Sequence, residues 1–216
     1  MDLVQARSRM VDGQVRTGDV TDLRIQAAML ELPRERFAPE PELAYADFDL
    51  PLGARSGRAM LRPRTLGKLL QALEVAPGDR ALDVGCGTGY GVAVLSHLAG
   101  DVFGLEEDSA LAATATKVLA ACGIRNASVV TGPLSDGWPL QAPYDVILVE
   151  GASEIVPRAL LEQLNDGGRL ACIEGRGPSG KAMVYRSAGG TVSGRPVFDA
   201  AAPLLPGFAQ PPAFVF

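Results

Sequence analysis

Short apolar runs alternate with longer segments of helical spacing between residues 77 and 173. The runs are continuous rather than interrupted by polar residues, which is typical of strands covered on both faces of a sheet. They predict strands over residues 80–84, 102–106, 128–131, 146–149 and 169–173. The segments between them predict helices over residues 90–99, 109–122 and 157–164. This order indicates an α/β fold built on a doubly wound, mostly parallel sheet.

The chain that follows this region has a different pattern. Residues 181–186 and 191–198 are strand-like, and the Ser-Ala-Gly-Gly sequence between them favours a hairpin turn. We therefore expect a seven-stranded sheet that ends in antiparallel strands. A proline-rich segment from Pro203 onward predicts an irregular tail.

Helical spacing also occurs before the sheet region. Apolar residues fall at i, i+3, i+4 and i+7 over residues 21–32 and 63–74, which predicts two helices. Residues 37–63 contain prolines and glycines without periodicity, so we expect an ordered loop there. The pattern predicts a single domain with a helical and loop extension at 1–76, a core at 77–200 and a tail at 201–216.

Composition narrows the class of protein. The chain has 216 residues and is 47% hydrophobic, which is enough for one buried core. Its net charge of −5 and pI near 5.0 provide no basic surface, so we expect no nucleic-acid partner. No apolar run is long enough to span a bilayer and no secretory signal begins the chain, so we expect no membrane contact and a cytoplasmic location. Three cysteines and one histidine match no metal-ligand spacing, so no metal is expected.

A glycine motif directly follows the first strand of the predicted sheet. It contains the candidate ligand-binding residues Asp83, Gly85, Cys86, Gly87, Thr88 and Gly89. Glycines at such a turn let backbone amides approach a ligand, and α/β sheets bind ligands at the carboxyl ends of their strands. Glu106 follows Gly85 by 21 residues, at the end of the next predicted strand. Its carboxylate is well placed to accept hydrogen bonds from ribose hydroxyls, so the motif predicts a site for a ribose-containing cofactor.

These motifs have other interpretations. The glycine turn can be purely structural, and Glu106 can simply begin a charged helix. A nicotinamide or flavin site would favour a third fingerprint glycine where this chain has Tyr90. Residues 175–181 fit the start of a phosphate-binding loop, but Ala182 replaces the hydroxyl residue and a strand-like segment follows. We therefore interpret residues 175–181 as an ordinary loop.

Further short motifs occur along about 160 residues of the chain. They include Met10-Val11-x-x-Gln14, Pro33-Arg34-x-Arg36-Phe37, Gly137-Trp138-Pro139 and Gly167-Gly168-Arg169-Leu170. Together with the glycine motif they resemble the protein-L-isoaspartate O-methyltransferase family. The resemblance implies a Rossmann-like class I methyltransferase fold, with S-adenosylmethionine as cofactor and S-adenosylhomocysteine as product. It also implies methyl transfer to the carboxylate of an isoaspartyl or D-aspartyl residue, which begins protein repair.

Such a reaction makes modest demands on the protein. A carboxylate is already ionised at neutral pH and attacks a methyl group on a positive sulfur, so no strong general base is needed. Catalysis would rest on in-line positioning and on exclusion of water. The lone His97, inside a predicted helix, is therefore interpreted as structural.

The loop that the resemblance assigns to the acceptor departs from the family pattern, Gly-Gln-Thr-Ile-Ser-Gln-Pro. Here it reads Gly57-Arg58-Ala59-Met60-Leu61-Arg62-Pro63. The candidate acceptor-side residues are Leu61, Arg62, Arg58 and Ala59, of which Leu61 and Ala59 lack the family's hydroxyl groups. The two arginines could bind an acceptor carboxylate in bidentate geometry, or they could be solvated loop residues.

Two further departures affect the predicted cofactor side. Gly132-Pro133-Leu134 replaces the family's Gly-Asp-Gly, so the acid beside the adenine is missing at that position. Glu150 stands near the predicted methyl-transfer pocket and could pair with one of the loop arginines. Three functions remain open: an isoaspartyl methyltransferase, a methyltransferase for a different protein or small-molecule acceptor, or a non-catalytic module that binds the cofactor.

Overall fold

The computed structural model describes residues 2–53 and 57–210. The part before the main sheet contains the elements α1 (Leu3–Met10), α2 (Leu23–Glu31), β1 (Leu50–Pro51), β2 (Ala59–Met60) and α3 (Pro63–Leu73). Asp2 and Asp22 cap α1 and α2, because their side chains accept hydrogen bonds from the first backbone N–H groups. The helices predicted over residues 21–32 and 63–74 are confirmed, with ends that differ by at most two residues.

The main sheet has seven strands. They are β3 (Arg80–Val84), β4 (Asp101–Glu106), β5 (Ala127–Thr131), β6 (Tyr144–Ser153), β7 (Leu164–Glu174), β8 (Lys181–Ala188) and β9 (Thr191–Asp199). Their order is β5-β4-β3-β6-β7-β8-β9, with parallel pairing as far as β7 and antiparallel pairing beyond it. The predicted doubly wound, seven-stranded sheet is therefore confirmed.

The chain order changes direction beside β3. From β3 the chain adds β4 and β5 on one side, and it later returns to place β6 and β7 on the other side. Val84 of β3 and Val149 of β6 are partners in the ladder, so the residues after them meet at the same edge of the sheet. This switch point is where open α/β sheets form a ligand-binding crevice.

Two strands are longer than the apolar runs that predicted them. β6 extends to Ser153 and β7 begins at Leu164, whereas the runs cover residues 146–149 and 169–173. Glu150 ends the apolar run in the sequence, but it is buried and β6 continues through it. The helices that follow the sheet strands are α4 (Tyr90–Ser96), α5 (Ser109–Ala121) and α6 (Arg158–Glu162). α6 is shorter than predicted because Leu164 already belongs to β7.

Loop predictions hold in outline. Residues 37–53 and 57–62 form turns and the short β1–β2 ladder, which no periodicity marks, and residues 54–56 of the predicted loop lie outside the described residues. The segment that resembles a phosphate-binding loop contains a 3-10 turn, Gly177–Ser179, and runs into β8 rather than into a helix. Residues 201–210 contain no helix or named strand, and residues 211–216 of the predicted tail lie outside the described residues.

Apolar residues cover both faces of the sheet. On one face Met10 of α1 and Leu66 of α3 join Val146 of β6 in a single cluster, so the helical extension shares its core with the sheet. On the other face the tail residues Leu205 and Phe208 are buried. Within residues 2–53 and 57–210, no helix has the length and apolar character needed to cross a membrane.

Candidate functional site

The turn between β3 and α4 has a backbone that only glycine adopts easily. The φ angles of Gly85, Gly87 and Gly89 are +78°, +56° and +91°, all in the left-handed region. The backbone N–H groups of Gly85 and Cys86 both donate to the carbonyl oxygen of Leu105, which ties the turn to β4. Burial raises the pKa of the Cys86 thiol well above its usual value, so this side chain stays a neutral thiol.

Glu106 ends β4 with its carboxylate turned back toward the glycine turn. Its Oε2 accepts a hydrogen bond from the backbone N–H of Gly87 at 2.8 Å. Its Oε1 accepts from the N–H groups of Glu107 and Asp108 at 3.0 and 3.2 Å. The cap of α5 is Asp108, which accepts from Ala110 and Leu111. The charged helix start therefore belongs to Asp108, and Glu106 lies in the candidate site.

Arg58 pairs with Glu106 across the crevice. Its Nη2 donates to Glu106 Oε2 at 2.9 Å and also to the carbonyl oxygen of Gly85. The side chains of the ion pair are only 1% and 0% exposed. The β1–β2 ladder brings Arg58 here, since Leu52 N–H donates to the Arg58 carbonyl at 2.9 Å. The interpretation of Arg58 as a solvated loop residue is therefore wrong.

The other acceptor-side candidates lie around Arg58 in different environments. Arg62 donates from its backbone N–H and its Nε to Asp49 Oδ1, at 2.9 and 3.2 Å, and this partner raises the pKa of Arg62. Ala59 is buried and pairs with Pro51 in the ladder. Leu61 is fully buried in the hydrophobic core. Neither Ala59 nor Leu61 has a side-chain group that could bind a carboxylate.

A buried arginine that sequence reasoning missed supports this loop. Arg34 donates to the carbonyl oxygens of Ala44 and Leu61 at 2.7 and 2.8 Å. Its guanidinium also lies 4.5 Å from the centroid of the Tyr90 ring, at the start of α4. Periodicity cannot reveal a buried arginine in a turn. The available signal was its place in the Pro-Arg-x-Arg-Phe motif.

Asp83 and Glu150 form an acid pair at the switch point. Both side chains are fully or almost fully buried at the ends of β3 and β6. A Cβ built on Gly91 would overlap Glu150 Oε1 and would lie 2.7 Å from Asp83 Oδ2, so the two carboxyl groups meet beside Gly91. No N–H or hydroxyl of the described residues donates to these oxygens or to Asp83 Oδ1.

The close approach of the two carboxyl groups affects their ionisation. Two neighbouring buried carboxylates cannot both be ionised without a strong penalty. Burial raises the pKa of Asp83 well above its usual value, and it raises the pKa of Glu150 to about 7. Arg34 and Arg58 are close enough to favour ionisation of Glu150, and Glu106 opposes it. Glu150 therefore lies beside Asp83 at the switch point, which corrects the expectation of a pair with Arg58 or Arg62.

The remaining cofactor-side candidates surround Glu106. Gly132 N–H donates to the Glu106 carbonyl at 3.2 Å. Pro133 precedes a 3-10 turn, Leu134–Asp136, in which Leu134 is buried. Thr88 is buried, and its hydroxyl has no hydrogen-bond partner among the described residues. Residues 2–53 and 57–210 contain no group of three His, Cys, Asp or Glu side chains that could hold a metal ion.

These residues suit a nucleoside cofactor that carries positive charge. The glycines leave the turn backbone uncovered by their own side chains, Glu106 supplies a carboxylate for ribose hydroxyls, and the acid pair supplies negative charge. Thr88 Oγ1, Asp83 Oδ1, Asp83 Oδ2 and Glu150 Oε1 have no donor among the described residues, so a bound molecule could satisfy these hydrogen-bonding groups.

The comparisons with known proteins agree with this geometry. Residues 5–196 match the family model described as protein-L-isoaspartate(D-aspartate) O-methyltransferase. The chain belongs to this family. It is 41% identical, over 82% of its length and 73% of the relative, to protein-L-isoaspartate O-methyltransferase 1 of Rhodopseudomonas palustris. It is 42% identical, over 82% of its length and 80% of the relative, to the protein of the same family name from Methanoregula boonei.

Solved structures of the family share the fold. A protein-L-isoaspartate O-methyltransferase superimposes with a TM-score of 0.82 and 24% identity, over 93% of this chain and 66% of that chain. A Plasmodium falciparum protein described under the same family name has a TM-score of 0.80 and 20% identity, over 93% of this chain and 98% of its own. The latter was crystallised in complex with S-adenosyl-L-homocysteine.

Proposed function

We propose that this chain transfers a methyl group from S-adenosylmethionine to the free carboxylate of an isoaspartyl or D-aspartyl residue in a protein or peptide. The observation that carries the proposal is the Glu106 carboxylate, held by the N–H of Gly87 over three left-handed glycines at the switch point. Membership of the family indicates the acceptor. A cytoplasmic location and the absence of a nucleic-acid partner remain predictions of the sequence.

Each group of the site has a defined task in this proposal. Glu106 would accept hydrogen bonds from the ribose hydroxyls, and the turn from Gly85 to Gly89 would face the cofactor through its backbone. Asp83 and Glu150 would lie beside positive charge, which favours their ionised forms. Pro133 and Leu134 would contact the base without the acid that the family has there.

The chemistry requires positioning more than proton transfer. S-adenosylmethionine, when bound, supplies a methyl group activated by its sulfonium. The acceptor is a carboxylate that is already ionised at neutral pH, so no protein group has to remove a proton from it. The loop residues 50–53 and 57–62 would align the acceptor and exclude water, and the buried apolar residues Leu52 and Leu61 suit the second task.

A second candidate is a methyltransferase for a different acceptor. The observation that favours it is Leu61, which stands where the family has a serine beside the reacting carboxylate and is fully buried. With Ala59 at the family's threonine position, the described part of this loop offers no side-chain hydroxyl to an acceptor. A substrate that needs no such hydrogen bond would fit this loop better.

The test is methylation of an isoaspartyl peptide with radiolabelled S-adenosylmethionine, against the same peptide with ordinary aspartate. Base-labile label on the isoaspartyl peptide alone supports the proposal. Label found only on another acceptor from a cell extract supports the second candidate. Cofactor binding without turnover on any acceptor supports a non-catalytic module, and no binding of either cofactor form contradicts all three.

A matched pair of variants tests the missing hydroxyl. Leu61→Ser and Leu61→Ala both remove buried carbon atoms and leave a cavity, but only the first restores the family's hydroxyl. One hydrogen bond to the acceptor is worth about 1–1.5 kcal/mol, so kcat/KM for the isoaspartyl peptide should be roughly tenfold higher in Leu61→Ser than in Leu61→Ala. Equal values would show that the hydroxyl position does not contact the acceptor in this chain.

A further inference from the structure

Arg58 lies where the cofactor ribose would have to reach Glu106. Its Nη2 is 2.9 Å from Glu106 Oε2 and would lie 2.7 Å from a Cβ built on Gly85. Leu52, from the same loop, contacts the open face of Gly87 so closely that a Cβ there would overlap its Cδ1. Two side chains of the loop therefore cover the surface of the glycine turn that a bound nucleoside needs.

The hydrogen bonds of Glu106 show which of its donors the cofactor ribose would have to displace. Its carboxylate accepts from the N–H groups of Gly87, Glu107 and Asp108 and from Arg58. A carboxylate has about four acceptor sites, so ribose hydroxyls cannot be added unless a donor leaves. The three backbone donors are fixed by the turn and by the start of α5. Arg58 is the one donor of the four that belongs to a side chain, and it is carried by a ladder of only two residue pairs.

We propose that Arg58 is an exchangeable counter-ion. It holds Glu106 before the cofactor binds, is displaced by the cofactor ribose, and then binds the carboxylate of the acceptor. This inference rests on the proposed function and adds an order of binding to it, cofactor first and acceptor second. The coupling is reciprocal, so a carboxylate that binds Arg58 also favours cofactor binding.

Displacement separates the Arg58 guanidinium from the Glu106 carboxylate, so the guanidinium can bind another anion. Arginine binds carboxylates in a two-point geometry, and the acceptor of this reaction is a carboxylate. The other nearby acids, Asp83 and Glu150, lie together beside Gly91 and face the positive charge of the cofactor in the proposed function. The acceptor carboxylate is therefore the anion left for Arg58.

The first experiment measures S-adenosylhomocysteine affinity by calorimetry for the unmodified protein, Arg58→Gln and the control Arg64→Gln. Arg64 is a half-exposed arginine near the same loop that pairs with Asp47. Arg58→Gln should bind S-adenosylhomocysteine roughly tenfold more tightly or better, because the arginine no longer competes with the ligand for Glu106. Arg64→Gln should bind like the unmodified protein. An Arg58→Gln affinity that is unchanged or weaker in a folded variant overturns the inference and leaves the proposed function standing. No binding by any form contradicts both.

The second experiment needs no variant, so it does not depend on how Arg58→Gln folds. Trypsin should cleave after Arg58 several times faster when S-adenosylhomocysteine is present, because the buried side chain is released. An isoaspartyl peptide should bind the unmodified protein with S-adenosylhomocysteine present and bind at least tenfold more weakly without it. Slower cleavage with the ligand, or equal peptide binding in both conditions, would overturn the exchange.

Discussion

The two sides of the candidate site keep their shape by different means. The floor, defined as residues 83–91 with Glu106, is held by backbone groups: left-handed glycines, N–H bonds to the Leu105 carbonyl and N–H bonds to the Glu106 carboxylate. The wall, defined as residues 50–53 and 57–62, is held by a two-pair ladder and by side chains of arginine and aspartate. The floor is thus fixed by backbone hydrogen bonds, whereas the wall depends on ion pairs between side chains.

Glu106→Gln should have the largest effect, because Glu106 joins the floor to the wall. Its loss leaves the Arg58 guanidinium buried without its anion, which costs about 3–5 kcal/mol of unfolding free energy. S-adenosylhomocysteine affinity should fall about a hundredfold, since charge-assisted hydrogen bonds are worth roughly 1.5–3 kcal/mol. Urea unfolding and calorimetry measure the two effects. Glu107→Gln, at an exposed neighbour, is the control and should change neither the unfolding free energy nor the affinity. An equal urea midpoint for the two variants would show that the Arg58–Glu106 pair does not stabilise the contact between floor and wall.

Glu150→Gln tests the acid pair of the floor through pH. The pKa of Glu150 is raised from its usual value of 4.5 to about 7, so the folded protein binds more protons than the unfolded chain between these values. Unfolding free energy should therefore decrease as pH rises from 4.5 to 7, by an amount on the order of 3 kcal/mol from this group. The variant should lack that part of the slope in urea unfolding. Glu162→Gln, at an exposed carboxylate, should keep it, and a slope retained in Glu150→Gln would contradict the raised pKa.

Arg34→Lys tests how the wall is anchored. Arg34 bonds to the Ala44 and Leu61 carbonyls and stacks on Tyr90, whereas a lysine ammonium cannot span both carbonyls. The expected loss of unfolding free energy is about 2 kcal/mol, from one or two charged hydrogen bonds. Arg36→Lys, at an exposed arginine of the same turn, is the matched control in the same urea titration. Equal midpoints would show that the wall does not need Arg34.

The smallest expected effects come from two left-handed glycines, Gly87 in the floor and Gly57 in the wall. Each change to alanine should cost about 1–2 kcal/mol from backbone strain alone. Gly87→Ala should cost the more, because its Cβ meets Leu52 while a Cβ on Gly57 meets nothing within 4 Å. In a Leu52→Ala background the two costs should become equal in thermal unfolding. A difference that persists there would show that the floor does not touch the wall at Leu52.

The fold was predictable because its signals are local. Continuous apolar runs mark β3 and β4, and helical spacing marks α3, without reference to distant parts of the chain. The ends of β6, β7 and α6 were not predictable in this way. Glu150 interrupts the apolar run of β6, yet its burial beside Asp83 allows the strand to continue to Ser153. Strand ends of this kind depend on packing between distant segments.

The candidate site likewise contains a part that the sequence predicts and a part that it does not. Asp83, Gly85, Gly87, Gly89 and Glu106 were recognisable from a strand, a turn and the end of the next strand, and the structure brings them together. The arginines of the wall were recognisable as residues, but their partners were not. Arg58 reaches Glu106, and Arg62 reaches Asp49 instead of the crevice.

The sequence by itself determined the doubly wound, mostly parallel sheet, the glycine turn and the carboxylate that follows it at the end of the next strand. Backbone conformation and side-chain spacing decide these features over a few residues. Only the tertiary structure decided that Arg58 is buried on Glu106, that Asp83 and Glu150 lie side by side and that Arg34 supports the wall. The physical reason is that a charged side chain takes its partner from whatever the fold places within hydrogen-bonding distance, and its pKa from the loss of water that burial imposes.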